Sequence, residues 1–306
     1  MKKNMIIGTR KSLLALWQSN YIADCLRKQY PLCTIELQNI ITKGDRILDV
    51  PLAQIGDKGL FTKELETALL DGTIDLAVHS LKDMPTKLPD GLILTAITER
   101  AKAGDAFVSN KYKRIEDLPK GAILGTSSLR RRAQLLAARP DLEIVDLRGN
   151  VDTRLKKLDT GTMDAIILAA AGLERLGYND RIREIIPEEF CLPAVGQGAL
   201  AIETRADDFE VRTMLDFLNH KETKQATDAE RAFLGLLGGG CQVPIGVHAL
   251  VANDEIEITA VIASLDGTTV LRDKIRGKAA NNITLGTELG KKMLANGGDK
   301  ILAEIL

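Results

Sequence analysis

The chain contains 306 residues, of which 27% are charged and 4% are aromatic, and its formal net charge at pH 7 is −1. Because positive and negative charges nearly cancel, no field of the whole molecule draws the protein to nucleic acid or to a membrane surface. Aromatic residues are also too scarce for stacking platforms on single strands, so any affinity for anions has to come from local clusters of basic residues.

The first part of the chain alternates between short apolar runs and helical patterns. A strand at MIIG precedes a helix from about Ser12 to Gln29, and a strand at TIELQNII precedes a helix near Thr62–Leu70. A third apolar run, IDLAVHS, follows. This βαβαβ order predicts a mostly parallel sheet with helices packed on it.

The same rhythm restarts in the middle of the chain. A strand at Ala122–Thr126 leads into a helix that ends near Ala138, and EIVDLR leads into a helix near Val151–Leu158 and the strand DAIILAAAG. In both parts a Gly-Thr pair ends the first strand and opens the first helix. We therefore predict two α/β lobes built on one plan.

Residues 42–61, TKGDRILDVPLAQIGDKGLF, follow neither the helical nor the strand period. Loops of this length inside compact domains are usually functional lids or disordered segments. We predict a mobile flap over a cleft, in which Lys58 and Phe61 help to cover the site.

Two crossings join the lobes, near Thr95–Asp105 and Pro193–Gly198, and their glycines predict a hinge. A helix around Asp207–Leu218 and the polar stretch NHKETK, interpreted as a linker, come next. A helix at Ala226–Leu237 then leads towards Cys241. Beyond it, a smaller α+β domain is predicted from strands near Val247–Leu250, Glu255–Ala263 and Thr269–Ile275 and from helices after Asn281.

Basic residues cluster where strands end and helices begin. In GTSSLRRR the hydroxyl groups of Thr126, Ser127 and Ser128 precede three arginines. Unpaired N–H groups and the helix dipole make such a junction an anion site, and guanidinium groups match carboxylates. Any one arginine could instead be solvated or paired with Asp146 or Asp152, and the residues leave this open. The clustered arginines are Arg10, Arg130, Arg131, Arg132, Arg148, Arg154 and Arg175.

The segment HSLKDMPT, residues 79–86, follows a buried strand directly. Lys82 and Asp83 thus fall at the carboxyl end of a strand, where parallel sheets place their sites, and Pro85 fixes the turn. A carboxylate opposite an arginine-rich wall could stabilise cationic intermediates and move protons. A surface Lys82–Asp83 pair or an Asx turn explains the same residues, and the local sequence does not decide between these readings.

Cys241 follows three glycines in LGGGCQVPIG and precedes Pro244 by three positions. The glycines let another molecule approach the backbone, and the proline stiffens the exit, so the thiol is presented as an attachment point. Taken alone, a cysteine near glycines is more often a buried small hydrophobe. The other cysteines, Cys25, Cys33 and Cys191, form no CxxC or Cys/His metal spacing with it, so no metal site is expected.

Five long motifs, HSLKDMPT, GTSSLRRRAQL, LRGNVDTRLKKL, LPAVGQGALAIE and LGGGCQVPIG, together resemble the porphobilinogen deaminase family, also called the hydroxymethylbilane synthases. They occur in the family's order, and the likeness runs from IGTRKSLLALWQ to the domain that contains Cys241. It weakens only in the C-terminal region.

The resemblance implies an α/β fold with two lobes similar to type II periplasmic binding proteins, built on mixed, mostly parallel sheets around a cleft. A smaller α+β C-terminal domain carries the cofactor cysteine. The expected domains are residues 1–98 with 199–218 for the first lobe, 104–193 for the second and 222–306 for the third. Hinges are expected near 95–104, 193–199 and 218–222.

The activity implied by the resemblance is that of a cytoplasmic, monomeric transferase of tetrapyrrole and heme biosynthesis. Such an enzyme condenses four porphobilinogen molecules head to tail onto a covalent dipyrromethane primer, releases ammonia and hydrolyses the product to hydroxymethylbilane. The dipyrromethane is attached through a thioether, which falls on Cys241 here. No nucleotide is implied, because neither GxGxxG nor GxxxxGK[ST] occurs at a strand–helix junction.

The resemblance also carries roles onto matching positions. Asp83 is the catalytic residue. The cofactor is held by Cys241, Lys82, Asp83, Thr126, Ser127, Ser128, Arg130, Arg131 and Arg154. Incoming substrate is bound by Arg10, Ser12, Gln18, Arg148, Arg154, Arg175 and Gln197.

Two other hypotheses come from different classes of protein. A non-catalytic, two-lobed anion-binding or effector-sensing module with a redox-active Cys241 explains the lobes and the arginines, but not a third domain that delivers a glycine-framed thiol. A thiol-dependent hydrolase lacks a base, since His79, His220 and His248 have no triad context. The short apolar run at the N-terminus and the lack of a long apolar stretch predict neither a signal peptide nor a membrane span.

Overall fold

The computed structural model describes residues 2–46, 59–238 and 243–305. The first lobe is built from two separate stretches of chain, one before and one after the second lobe. It contains β1 (Asn4–Thr9), α1 (Leu13–Gln29), β2 (Thr34–Asn39), α2 (Lys43–Arg46), α3 (Lys63–Leu70), β3 (Leu76–Ser80), β4 (Leu92–Ile97), β10 (Leu200–Arg205) and α7 (Phe209–Leu215).

The second lobe comes from one continuous stretch of chain. It contains β5 (Asp105–Val108), β6 (Ile123–Gly125), α4 (Leu129–Ala138), β7 (Glu143–Val145), α5 (Val151–Asp159), β8 (Ala165–Ala169), α6 (Ala170–Arg175) and β9 (Glu184–Ile185). Its core includes the fully buried Phe107, Leu124 and Leu135, which lie between the sheet and α4.

The two sheets have the same topology. Their strand orders are β2-β1-β3-β10-β4 and β7-β6-β8-β5-β9. In each sheet the fourth strand pairs antiparallel with both neighbours, while the first three strands pair in parallel. Four strands of each sheet therefore share one direction, which confirms the prediction of two α/β lobes with mixed, mostly parallel sheets.

Wherever the chain crosses from one lobe into the other, it enters through the antiparallel strand: β5 follows the first crossing and β10 follows the return crossing. The sequence patterns missed both strands, together with β4. Each of these strands borders a crossing between the lobes, so its residues were interpreted as part of the connection.

The third unit is an antiparallel meander covered by helices. It contains α8 (Lys221–Leu236), β11 (Ile245–Ala252), β12 (Glu255–Ala263), β13 (Val270–Lys278), α9 (Asn282–Met293) and α10 (Asp299–Ala303). Asn253 and Asp254 join β11 to β12 with φ angles of 52° and 61°, the left-handed pair that a tight hairpin turn requires. Phe233 of α8 and Leu289 of α9 are fully buried in its core.

Helix α8 begins within the stretch interpreted as a linker, at Lys221 instead of Ala226. His220 caps the helix, since its Nδ1 accepts a hydrogen bond of 3.2 Å from the backbone N–H of Thr223. The polar residues that resemble a linker are thus the first turn of a capped helix. The domain limits given above remain a prediction.

Glu230 of α8 connects the third unit to both crossings. Its carboxylate is fully buried and accepts hydrogen bonds from the Arg100 guanidinium at 2.6 and 3.2 Å. The backbone N–H groups of Gly196 and Ala249 donate to the same carboxylate at 2.7 and 2.9 Å. One buried charge pair therefore fixes the return crossing against both the first crossing and β11. Within the described ranges, no helix combines the length and the apolar character needed to cross a membrane.

Candidate active site

The loop between β6 and α4 uses its own hydroxyl groups to form the turn. Ser128 caps α4 and accepts from the N–H of Arg131, and Thr126 Oγ1 accepts from the N–H of Ser128 at 3.2 Å. Ser127 Oγ donates to Leu147 O and accepts from Leu147 N, each at 3.0 Å. These bonds satisfy groups that the strand–helix junction would leave unpaired, so they direct the start of α4 and its arginines inwards.

Asp105, the first residue of β5, lies at the centre of a buried ion cluster. Its two carboxylate oxygens accept from Arg130 Nη1 at 2.7 Å and from Arg131 Nη2 at 2.6 Å, and Asp105 itself is fully buried. Burial alone would raise the pKa of Asp105, but the two guanidinium groups hold it well below its usual range. The carboxylate therefore stays ionised and neutralises part of the arginine charge.

Asp105→Asn is expected to cost about 3–5 kcal/mol of unfolding free energy, because two buried guanidinium groups lose their counter-ion. Urea unfolding monitored by circular dichroism measures this loss. The wild-type contribution is complete above the unfolded pKa of about 3.9 and is lost as the pH falls towards the lowered folded pKa.

Asp159→Asn is the matched control, since it breaks a surface pair with Arg181 in the same lobe. It is expected to change the urea midpoint far less. Equal midpoints for Asp105→Asn and Asp159→Asn would contradict the structural role of Asp105.

Sequence reasoning did not select Asp105, although a signal was present. An aspartate that directly precedes the apolar run Ala106–Val108 is predicted to be buried with that run, and a buried carboxylate needs a partner. A buried carboxylate at Asp105 would in turn have indicated Arg130 and Arg131 as its counter-ions.

Gln197 joins this cluster to Lys82. Its Nε2 donates to Ala103 O at 2.6 Å and to Asp105 Oδ1 at 2.9 Å, and its Oε1 accepts from Lys82 Nζ at 3.4 Å. The neighbouring Gly198 has φ +95°, and a Cβ there would lie 2.5 Å from Ala101 O. The return crossing therefore requires glycine at this position, and it holds Gln197 between the two lobes.

Cationic side chains outnumber carboxylates on the side of the cluster that faces Asp83. Burial, with Arg131 and Arg148 nearby, lowers the pKa of Arg154 to about 10, and Asp83 acts in the opposite direction. Burial also lowers the pKa of Lys82 to about 8; Asp83 and Asp105 oppose this, whereas Arg131 and Arg130 add to it. Mutually repelling cations of this kind are stabilised by an anion.

Two guanidinium nitrogens in this group are buried without a hydrogen-bond partner among the described residues. They are Arg131 Nε and Arg148 Nη1. Since a buried donor normally finds an acceptor, these two nitrogens are candidate donors to an external carboxylate.

Asp83 lies in a single 3-10 turn, Leu81–Asp83, directly after β3. Leu81 and Met84 on either side are buried, whereas the Asp83 side chain is exposed. It lines a cavity of about 60 Å³. The polar residues that share the cavity are Arg10, Ser12, Gln18, Thr62, His79 and Ser80.

Arg10 also lines this cavity, and it already has partners. Its guanidinium contacts the carboxylate of Asp45, with Nη2 2.5 Å from Oδ1, and lies 4.2 Å from the centre of the Phe61 ring. Gln18 Nε2 donates to Ser80 Oγ at 2.8 Å. Phe61 also lines this cavity, but its role in a flap stays a prediction. Lys58 and most of that segment lie outside the described residues.

Arg175 connects the lobes instead of joining the Asp105 cluster. Its Nη2 donates to Gly198 O at 2.6 Å, and its guanidinium lies 5.6 Å from the centre of the Trp17 ring of α1. Burial lowers the pKa of Arg175, although Tyr21 and Glu174 partly offset this.

Cys241 lies outside the described residues, in the connection between α8 and β11. The structure describes the end of α8 at Leu236 and the start of β11 at Ile245.

Two models of protein families match consecutive parts of the chain. The model for "Porphobilinogen deaminase, dipyromethane cofactor binding domain" matches residues 5–213, and that for "Porphobilinogen deaminase, C-terminal domain" matches residues 224–295. Curated relatives carry the name porphobilinogen deaminase. One from Desulforamulus reducens is 54% identical over 305 residues, covering 100% of this chain and 99% of that protein. One from Geobacter sulfurreducens is 54% identical over 299 residues, covering 98% and 94%.

Solved structures similar to this chain include the methionine binding protein MetQ, with a TM-score of 0.45 and 15% identity over 73% of this chain and 91% of that one. Another is a putative methionine-binding lipoprotein from Bacillus subtilis, with a TM-score of 0.43 and 14% identity over 72% and 92%.

Proposed function

Because the chain belongs to the porphobilinogen deaminase family, we propose that the residues around Asp83 and Asp105 bind and join pyrroles between the two lobes. The enzyme is a transferase of tetrapyrrole biosynthesis. It condenses four porphobilinogen molecules head to tail with release of ammonia, and hydrolyses the product to hydroxymethylbilane.

The cofactor is dipyrromethane, and the chain contains a cofactor-binding domain for it. Each pyrrole ring carries an acetate and a propionate, and the buried and half-buried cations described above are complementary to these carboxylates. The residues therefore fit the group. When bound, dipyrromethane supplies the pyrrole carbon to which the first substrate is joined.

In the proposed arrangement, Arg131, Arg154 and Lys82 hold the cofactor carboxylates. Arg131 also pairs with Asp105, but its Nε is buried without a partner among the described residues. Arg130 contributes positive charge without a direct contact through Nη1, because this nitrogen already donates to Asp105 and to Leu192 O. Thr126, Ser127 and Ser128 contribute mainly by shaping the turn. Cys241 provides the thioether anchor, and its thiol reacts once, during assembly, instead of in each turnover.

Asp83 acts on the reacting ring in this proposal. Loss of ammonia from porphobilinogen leaves a methylene-pyrrole cation, whose charge is shared with the ring nitrogen. A carboxylate that accepts a hydrogen bond from the pyrrole N–H stabilises this charge, and it can take a proton when the new carbon–carbon bond has formed.

Incoming substrate is proposed to bind through Arg10, Arg148 and Arg175, with Ser12, Gln18 and Gln197 beside them. Arg148 has a buried N–H without a described partner. Arg10 and Arg175 must exchange the Asp45 carboxylate and the Gly198 carbonyl for substrate carboxylates. Substrate carboxylates would accordingly replace existing partners at Arg10 and Arg175, whereas at Arg148 they would bind a nitrogen that has no described partner.

The observation that carries this proposal is a group of buried and half-buried cations whose charge exceeds that of Asp83 and Asp105. Arg130 and Arg131 are buried, and Arg148, Arg154 and Lys82 are half-buried. The test is to mix purified protein with porphobilinogen and to measure ammonia against substrate consumed. One ammonia per porphobilinogen is expected. A non-catalytic anion-binding module would consume no substrate above a protein-free control.

The expected surroundings of the enzyme are also proposals. A net charge of −1 and the low aromatic content support an enzyme that acts on a small molecule without nucleic acid. We propose a cytoplasmic monomer, for which light scattering at micromolar protein concentration would give the mass of one chain.

A further inference from the structure

Arg231, on helix α8 of the third unit, contacts the segment that directly follows Asp83. Its Nη2 donates to Pro85 O at 2.7 Å and to Thr86 O at 3.3 Å, and its Nη1 donates to Met84 O at 3.4 Å. One guanidinium group therefore binds three successive backbone carbonyls of the first lobe. None of these contacts involves a substrate or cofactor carboxylate.

The three carbonyls need such a donor. Met84 leaves the 3-10 turn with an extended backbone, and within the described part of the chain no backbone N–H bonds to the carbonyls of Met84, Pro85 or Thr86. Pro85 itself has no N–H with which to continue a ladder. Arg231 supplies several donors in a rigid fork, which suits a run of neighbouring acceptors.

Asp83 is thus fixed from both sides along the backbone. Before it, the N–H of Leu81 donates to Ala199 O at 3.0 Å, and the Leu81 side chain is buried. After it, Met84 is buried and its carbonyl is held by Arg231. The exposed carboxylate of Asp83 consequently stands on a short, doubly anchored segment.

The anchoring helix is also the one that leads to the predicted thioether cysteine. Arg231 follows Glu230, which is fixed to Arg100 and Gly196, and α8 ends five residues before Cys241. A single helix accordingly relates the Asp83 segment to the start of the connection that contains Cys241.

We propose that Arg231 is a positioning residue for the reaction: it holds Asp83 at the correct distance from the reacting pyrrole ring. This inference rests on the role proposed above for Asp83. Displacement of a catalytic group by about 1 Å can lower a rate 10²-fold while the affinity for substrate changes little.

The test compares kcat, KM and intact mass for wild type, Arg231→Ala and Arg231→Lys. Arg231→Ala is expected to lower kcat by about 10- to 100-fold with KM within about twofold of wild type and the covalent dipyrromethane retained. Arg231→Lys is expected to recover most of this loss, since an ammonium group can still donate to one or two of the carbonyls, but to stay about threefold or more below wild type. If Arg231→Ala does not fold, the kcat of Arg231→Lys decides: an unchanged kcat would overturn the proposal.

Lys224→Ala is the matched control, because it removes a cation from the same helix that pairs with Asp228. It should leave kcat unchanged. The decisive measurement is the double variant Asp83→Asn/Arg231→Ala. If Arg231 acts through Asp83, the double variant turns over no more than about twofold more slowly than Asp83→Asn alone.

Additive losses in the double variant, an unchanged kcat for Arg231→Ala, or loss of the covalent cofactor in Arg231→Ala would each overturn the proposal. Failure of the Asp83 assignment is recognised separately, because Asp83→Asn alone would then turn over at the wild-type rate.

Discussion

Asp83→Asn is expected to retain the covalent dipyrromethane and to lower kcat for porphobilinogen by a factor of at least about 10². Asparagine has nearly the same shape, but it carries no negative charge and cannot accept a proton from the ring carbon. The cationic state reached after loss of ammonia would therefore lose its nearest counter-charge, while Lys82 and Arg154 would remain.

Steady-state assays with porphobilinogen, together with the intact mass of the denatured protein, measure this effect. Asp90→Asn serves as the control because it makes the same chemical change on an exposed residue of the segment that follows. Near-normal turnover by Asp83→Asn would remove Asp83 from the mechanism. Loss of the cofactor mass would instead give it a role in assembly.

Cys241→Ser is expected to carry no dipyrromethane and to lose all measurable turnover. A serine hydroxyl is a far weaker nucleophile than a thiolate towards the electrophilic methylene that forms the anchor. The wild-type protein should show an added mass matching two linked pyrrole units, and the Cys241→Ser protein should have the mass of its sequence alone.

Cys25→Ser is the matched control, since Cys25 is a free, partly exposed thiol on α1. This variant should keep both the added mass and the activity. An added mass on Cys241→Ser would transfer the anchor to another residue. If the wild-type protein stayed unmodified after incubation with porphobilinogen, the anion-binding module would become the better account.

The sequence predicted the elements that follow a local period. Strand β1 and helix α1 of the first lobe, strand β6 and helix α4 of the second, the meander strand at Glu255–Ala263 and the two-lobe plan are confirmed. Long motifs at strand ends also directed attention to the segment around Asp83 and to the arginines of α4. These features depend on neighbours within a few residues, so they are visible in a linear pattern.

Pairings between distant residues could not be predicted in this way. Asp105 binds arginines that lie 25 and 26 positions later, and Arg100 binds Glu230 across 130 positions. Each side chain alone looks like any charged surface residue, because burial of its charge depends on how the lobes and the third unit meet.

For the hydroxyl groups of the GTSS turn, the sequence suggested a binding role, whereas the structure shows bonds within the turn. Their residue types favour anion binding, and they were assigned to the cofactor. The structure uses Ser127 and Ser128 to close hydrogen bonds of the turn itself, because every strand–helix junction must first satisfy its own backbone groups. Whether they also contact the cofactor stays a prediction.

The position of β10 in the first sheet has a consequence for synthesis on the ribosome. The second sheet is complete once residue 185 has emerged, whereas the first sheet needs residues 200–205 between β3 and β4. Domains generally fold as their residues become available, so the lobe that is translated first is completed last. Until then β3 and β4 remain unpaired strand edges, which makes the nascent first lobe the part of the chain most in need of protection from aggregation.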